Sequence, residues 1–330
     1  MACSRATTTH SRVMNGLLRV FESLPVSEEP SSSRAAFHAA PLDSNEHVLI
    51  AKTGQGRACL LVLTAYPAET SPPPLRLENL TVQHGIEGRV RTNAGIAEGI
   101  FSLIVLRTSD KLLLDMFLRF AAAFVQHFPK RPTASDVSLE LQRLVNLLQS
   151  LRKPATKTIQ GLWAELFLIA SRDKPVRWIK GWHIDPIGLH DFVFGDTRVE
   201  VKSTMAHERT HRFSHDQLSA PAGVALFIAS VVLERSNNGV SVFDLADRIR
   251  KKVSPDESLL LDAMIASTLG RDYNKTNEVK FDSHRATDSL LFFPLSAVPR
   301  LSEEIPVRLM EVSYTVRLDD TDGMPSLSME

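Results

Sequence analysis

Residues 191–202 read Asp-Phe-Val-Phe-Gly-Asp-Thr-Arg-Val-Glu-Val-Lys. Asp191 opens one short apolar run, Gly195-Asp196 supplies a turn, and a second run carries Glu200-Val201-Lys202. Side chains alternate faces along a strand, so Glu200 and Lys202 share one face while Val199 and Val201 share the other. If the two runs pair as a hairpin, Asp191 lies near Glu200 and Lys202. Two carboxylates and an ammonium at one point make a poor core. They make a good cradle for Mg2+ (or Mn2+), whose hard oxygen preference they match and which activates water for phosphodiester hydrolysis. Asp191 and Glu200 would be the direct ligands. Lys202 would orient or deprotonate the attacking water, or stabilise charge in the transition state. The plain structural alternative is an exposed edge hairpin with surface ion pairs, since Glu-x-Lys is common on strands.

The surrounding pattern predicts the elements that hold this hairpin. Thr158–Ser171 reads as a helix with Ile159, Leu162, Trp163, Leu166 and Ile169 on its buried side. A strand is predicted near Val176–Gly181, then the two hairpin strands, then a short helix from Ser214. The continuous apolar run Gly223–Leu233 follows as a strand covered on both faces. The predicted order is αβββαβ, an α/β fold with a mixed central sheet flanked by helices. Beyond it, helices near Ser241–Lys252 and Asp256–Leu269 and strands near Leu290–Leu295 and Val307–Leu318 are expected, with a frayed tail from Asp319. Upstream, residues 13–24 suggest an amphipathic helix and residues 25–44 a linker. Strands are expected at Val48–Ala51, Ala58–Leu63, Leu75–Gln83, Gly88–Arg91 and Ile100–Leu106, then helices at Lys111–Phe128 and Ala134–Leu151. This divides the chain into residues 1–44 (helix and linker), 45–108 (β-rich accessory region), 109–153 (helical connector) and 154–330 (the motif-bearing domain).

On these residues the chain resembles the PD-(D/E)XK nuclease superfamily. Asp191 matches the first motif aspartate and Glu200-Val201-Lys202 the second motif, with His190 standing where the name has proline. Glu165, in Gly-Leu-Trp-Ala-Glu-Leu-Phe-Leu, matches the helical glutamate of many members, including resolvase-like and Mrr-like restriction enzymes. More narrowly, Trp-Ile-Lys-Gly-Trp, His-Asp-Phe-Val-Phe, Val-Glu-Val-Lys-Ser-Thr and Phe-Ser-His-Asp-Gln-Leu resemble a bacterial family named for this motif, which tends to sit beside restriction and phage-defence genes. The resemblance implies a restriction-endonuclease-like core, Mg2+-dependent cleavage of double-stranded DNA, and the Val201 carbonyl as a further metal ligand. It implies that Glu165 binds a second ion or a metal-bound water, and that a polar residue on the helix after the hairpin, here Gln217, points into the site. Gln217 has a structural reason too, since Ser214-x-x-Gln217 is a capping box.

Composition sets limits. The 330 residues carry 38 basic and 38 acidic side chains, so no global field draws the chain to nucleic acid. The two cysteines, Cys3 and Cys59, belong to no Cys-x-x-Cys pair and build no disulfide framework, which points to a reducing cytoplasm. No secretory leader or membrane span is predicted. His207, His211 and His215 recur every four residues, but Arg212-Phe213 and Ser214 break a helical stripe, which favours a polar loop over a zinc site. Ser203 and Thr204 touch phosphate or end the strand. Arg152, Lys153, Lys157, Arg172, Lys174, Arg177 and Lys180 flank the Glu165 helix as phosphate contacts or as a solvated surface. Trp163, Trp178 and Trp182 read as core, Asp185 as a loop residue, and Gly54-Gln55-Gly56 as a hairpin turn. No phosphate-binding loop of the Walker type exists, so an ATP-driven step would need another subunit. Double-strand cutting would imply a homodimer or further defence subunits. The competing reading is a non-catalytic DNA-binding or scaffold subunit that keeps the fold; RNA cleavage or DNA repair is a third, since a fold does not determine a reaction.

Overall fold

The computed structural model describes residues 17–27, 35–42, 45–65, 71–129, 132–182, 188–301, 305–306 and 308–327. The chain is α/β and divides into two compact units, Met1–Lys153 with Val253–Gly270, and Pro154–Lys252 with Arg271–Glu330. Among the described residues no helix is long and apolar enough to cross a membrane.

The first unit holds helix α1 (residues 17–23), strands β1 (Ala35–Leu42), β2 (Asn45–Lys52), β3 (Ala58–Leu63), β4 (Leu75–Arg76), β5 (Leu80–Thr92) and β6 (Gly95–Leu106), and helices α2 (Lys111–Phe124) and α3 (Ala134–Ser150). Five strands close into a ring in the order β1-β2-β3-β6-β5, sealed by a parallel β1–β5 pairing. One parallel pair is required: a ring with an odd number of strands cannot alternate direction all the way round. Ala39, Leu49, Ala51, Cys59, Leu61, Val90 and Phe101 come from all five strands and form one core, so they fill the interior. Where the sequence predicts separate strands at Leu75–Gln83 and Gly88–Arg91, β5 is continuous. It bends at a register shift between Gln83 and Ile86, where Gly85 adopts φ +72°, a conformation that a side chain would disfavour. Before that bend β5 pairs with β4; after it, with β1. A cavity of about 260 Å³ is lined there by Arg76, Thr81, Gln83, Leu103, Val105 and Arg107. The predicted helix at Asp256–Leu269 is Pro255–Leu269 (α7 in chain order), capped by Ser254, and it packs with α2 and α3 in this unit. A buried ion pair, Arg119 Nε to Asp262 Oδ2 at 2.7 Å, joins α7 to α2.

The second unit contains α4 (Ile159–Ala170), α5 (Pro175–Gly181), β7 (Phe192–Phe194), β8 (Thr197–Thr204), β9 (Thr210–Ser214), β10 (Ala225–Val232), β11 (Arg235–Ser241), α6 (Val242–Arg250), β12 (Lys280–Phe281), α8 (Ser283–Ser289), β13 (Leu291–Pro294) and β14 (Ser313–Arg317). The main sheet runs β13-β10-β8-β7, with β7–β8 antiparallel, β8–β10 parallel and β10–β13 antiparallel. Two predicted elements differ. The strand predicted at Val176–Gly181 is helix α5: Pro175 occupies its first turn, where the missing N–H costs nothing, and a short apolar run carries no periodicity to separate strand from helix. Among the described residues a single bridge, Trp182 to Phe192, stands where that strand would pair. The helix predicted from Ser214 is one 3-10 turn, Asp216–Leu218, and β9 leaves the sheet to pair with β14. The αβββαβ order is thus not reproduced element for element. The described tail is also tied down: Asp320–Asp322 form a 3-10 turn, and the Met324 backbone exchanges hydrogen bonds with Phe292.

Helix α4 is buried on nearly every side from Leu162 to Ile169, and Thr158 caps it through its hydroxyl to the Gly161 N–H. Trp163 stacks on Phe167 and donates its indole N–H to the Val240 carbonyl at 2.7 Å. Gly181 ends α5 against the hairpin. A Cβ there would collide with the Phe194 ring and lie 2.9 Å from the Val193 carbonyl oxygen, so only glycine permits this approach.

Candidate functional site

The hairpin is built as the sequence predicts. Phe192 faces Val199 and Phe194 faces Thr197, with Gly195 at φ +56° as the first turn residue. A glycine with positive φ at that position alone fits the type II′ turn that matches strand twist. One step back in the same register sets Asp191 opposite Glu200, and directly opposed residues share a face. Asp191 Oδ2 accepts the Val201 backbone N–H at 2.8 Å, which locks the carboxylate across the hairpin. The Lys202 ammonium lies 2.9 Å from Glu200 Oε1.

Two further elements close on this face. From α4, Glu165 presents both oxygens: Oε1 accepts from the Lys157 ammonium at 2.6 Å and Oε2 from the Trp182 indole at 2.7 Å. Lys157 also donates to Asp191 Oδ1, so one ammonium bridges the helix and the hairpin. From the turn after β9, Gln217 donates through Nε2 to Glu200 Oε1 at 2.6 Å and accepts from Lys202 at 3.1 Å. The capping box forms as well: Gln217 Oε1 accepts the Ser214 N–H and Ser214 Oγ accepts the Gln217 N–H. The two readings of Gln217 are therefore one arrangement, in which the cap holds the amide rigid against the Glu200–Lys202 pair. His190 donates to the Gln217 carbonyl at 3.0 Å.

Residues 18–319, which include every one of these side chains, match the model of the family described as "Putative PD-(D/E)XK family member" (DUF4420). The chain belongs to this family. No curated protein and no solved structure matches it. The resemblance seen in the motifs thus extends over most of the chain.

In this PD-(D/E)XK family member Glu165, Asp191 and Glu200 are only 2%, 6% and 3% exposed. Burial, then the neighbouring Asp191 charge, push the Glu200 carboxyl up to about 8, against the opposing pull of Lys202. Burial and the Glu165 charge likewise raise Asp191, although Lys157 and the Val201 N–H favour its charged form. Burial would lower Lys157, but Glu165 and Asp191 more than offset it and hold the ammonium protonated. Glu200 Oε2 is buried and has no hydrogen-bond partner among the described residues. A buried acceptor without a donor is costly, and a cation is the simplest group to satisfy it.

The donor set fits one Mg2+ held by Asp191 and Glu200, because Mg2+ typically takes one or two carboxylates and completes its shell with water and phosphate oxygens. Among the described residues no three His, Cys, Asp or Glu side chains stand as a ready-made cage. Glu165 accepts from Lys157 through Oε1 and from Trp182 through Oε2. The contact recorded for Val201 in the site runs through its N–H.

Sequence reasoning missed two residues. In the sequence Lys157 reads as a phosphate contact or a solvated surface charge, and Trp182 as core rather than a base-stacking platform. The available signal was position: Lys157 immediately precedes the cap of a helix with a single buried acid. The other candidates resolve more simply. His211 lies in β9 against Ser230 Oγ at 2.7 Å, its pKa lowered to about 4 by burial and then by Lys202 and Arg209. His207 lies in a bend and His215 begins the 3-10 turn, so the histidines form no helical stripe. Ser203 Oγ accepts from Gln160, and Thr204 Oγ1 accepts the Ala206 N–H where β8 ends. Arg152 pairs with Glu78, Arg172 lies between the Trp178 and Phe292 rings, and Arg177 lies over Phe194, so the basic flank is dispersed. The three tryptophans are buried. Asp185 lies outside the described residues.

The raised Glu200 carboxyl predicts a pH signature. The folded state holds this proton more tightly than the unfolded chain, so its stabilising effect is complete below about pH 4.5 and is lost as pH rises through about 8. In EDTA, the melting temperature should fall across pH 5–9, and Glu200→Gln should flatten that fall. Equal slopes for both proteins in thermal unfolding would show that Glu200 does not carry the raised pKa.

Proposed function

We propose that this chain is a Mg2+-dependent DNA endonuclease, the cutting subunit of a bacterial restriction or phage-defence system. The observation that carries it is the hairpin pair Asp191 and Glu200, with Lys202 bonded to Glu200 and Glu200 Oε2 left open. The sheet order supports the same reading. An antiparallel hairpin followed by a parallel strand and an antiparallel edge strand suits a restriction-endonuclease-like core whose first strand is reduced to the Trp182 bridge.

Asp191 and Glu200 would hold the ion, and bound Mg2+ would supply a polarised phosphate and a water of lowered pKa. The residues do the rest. Asp191 is aimed by the Val201 N–H and Lys157. Gln217 keeps Glu200 and Lys202 in register. Lys202, the more accessible of that ion pair, is placed to orient the attacking water and to stabilise charge on the phosphorane-like transition state. In this reading the barrel unit contacts DNA backbone through its cavity. Arg76 and Arg107 line it together with Thr81, Gln83, Leu103 and Val105, which combines two positive charges with hydrogen-bonding groups.

Asp191→Ala and Lys202→Ala should each lower Mg2+-dependent cleavage of plasmid DNA by about 10²-fold or more, with circular dichroism unchanged. Cleavage at the wild-type rate by both variants would contradict the assignment. A wild-type chain that cuts neither modified nor unmodified DNA, even with its genomic neighbours, would leave the scaffold reading in place. Arg76→Ala with Arg107→Ala should weaken DNA binding and flatten the dependence of log K on log salt by about 1.8, as expected for two lost phosphate contacts at about 0.9 each. An unchanged slope would remove the barrel from the DNA interface.

A further inference from the structure

The buried cluster contains a cation of its own between Glu165 and Asp191. The Lys157 ammonium sits 2.6 Å from Glu165 Oε1 and also bonds Asp191 Oδ1. The remaining oxygens of the two acids are taken as well, Glu165 Oε2 by Trp182 and Asp191 Oδ2 by the Val201 N–H. Among the described residues the acceptor of the cluster that lacks a partner is Glu200 Oε2.

We infer that Lys157 takes the place a second divalent ion would occupy, so that the site binds one metal ion, between Asp191 and Glu200. The inference rests on the metal-dependent reading above. In two-metal phosphodiesterases a shared carboxylate bridges ions about 4 Å apart. Asp191 is the residue placed to bridge here: its Oδ1 is held by the tethered ammonium, while Oδ2 accepts one backbone N–H and keeps a further lone pair for an ion.

Charge leads to the same count. Once a bound ion has displaced the proton that Glu200 otherwise holds, three ionised acids, Glu165, Asp191 and Glu200, face two ammoniums, Lys157 and Lys202, which leaves one negative charge. One dication and one phosphodiester bring the site to neutrality; a second dication would leave two positive charges uncompensated in a buried place. Lys157 also has a fixed origin. It directly precedes Thr158, whose hydroxyl and carbonyl accept the Gly161 and Leu162 N–H groups, so its stem starts from an ordered backbone. Lys157 is thus a positioning residue: it fixes the orientation of Asp191 and neutralises Glu165 at every metal concentration.

Mn2+ titration by calorimetry, with electron paramagnetic resonance on the same samples, tests this directly. Wild type should bind one Mn2+ per chain, lost in Asp191→Ala, with no spin-coupled dimanganese signal. Lys157→Met removes the ammonium while keeping an unbranched stem, and should raise the stoichiometry to two; adding Glu165→Gln should return it to one. Lys157→Arg keeps the charge and should stay at one, which covers the case in which the methionine variant does not fold. Two ions on wild type, or one ion on a folded Lys157→Met, overturns the inference while leaving a metal-dependent site intact. No Mn2+ on wild type is a different result, and it removes the metal-dependent reading itself.

Discussion

The second unit is organised around a buried charge problem. Three carboxylates, Glu165, Asp191 and Glu200, lie in one place with two ammoniums, Lys157 and Lys202. Removing either partner of such a buried pair typically costs about 3–5 kcal/mol, so the arrangement constrains everything around it. The hairpin must hold its register, or Asp191 and Glu200 would part. Helix α4 must be buried on nearly every face to carry Glu165 inward. Gly181 must be glycine so that α5 can lie on the hairpin and Trp182 can close over Glu165. The capping box at Ser214 must form, because it holds the Gln217 amide against Glu200 and Lys202.

These contacts are better explained by chemistry than by stability. An apolar cluster of similar volume would fold at least as well as a buried ion-pair network. Here the network leaves one carboxylate oxygen without a donor among the described residues and a carboxyl held well above its usual range, both of which a bound cation would relieve. On the proposed reading, the balance of charges would also limit how much cation the site takes, and Lys157 would set that limit from within the chain.

What was legible in the sequence follows from the range of the forces involved. The hairpin could be read because its information is local: a Gly-Asp turn, alternation, and a charge on every second residue. The helices expected from Thr158 and Ser241 rest on local pattern too, and those two residues cap α4 and α6. Gln217 could be proposed because a capping box is a four-residue pattern. The failures are non-local. Val176–Gly181 is too short for its period to show, and its helical state is settled by Pro175 and by packing of Gly181 on Phe194. The closure of the barrel depends on pairing β1 with β5 across about fifty residues, which no local pattern announces. Lys157 meets Asp191 across thirty-four residues, and its role becomes visible only once the hairpin and helix are brought together.

The central claim is that Asp191 and Glu200 hold a single divalent ion while Lys157 occupies the neighbouring position. Anomalous diffraction at the manganese edge from a Mn2+-soaked crystal tests it most directly. One peak bonded by Asp191 and Glu200, with the Lys157 ammonium still between Glu165 and Asp191, is the result expected. A peak between Glu165 and Asp191 with Lys157 displaced, or no peak beside Glu200, would contradict it.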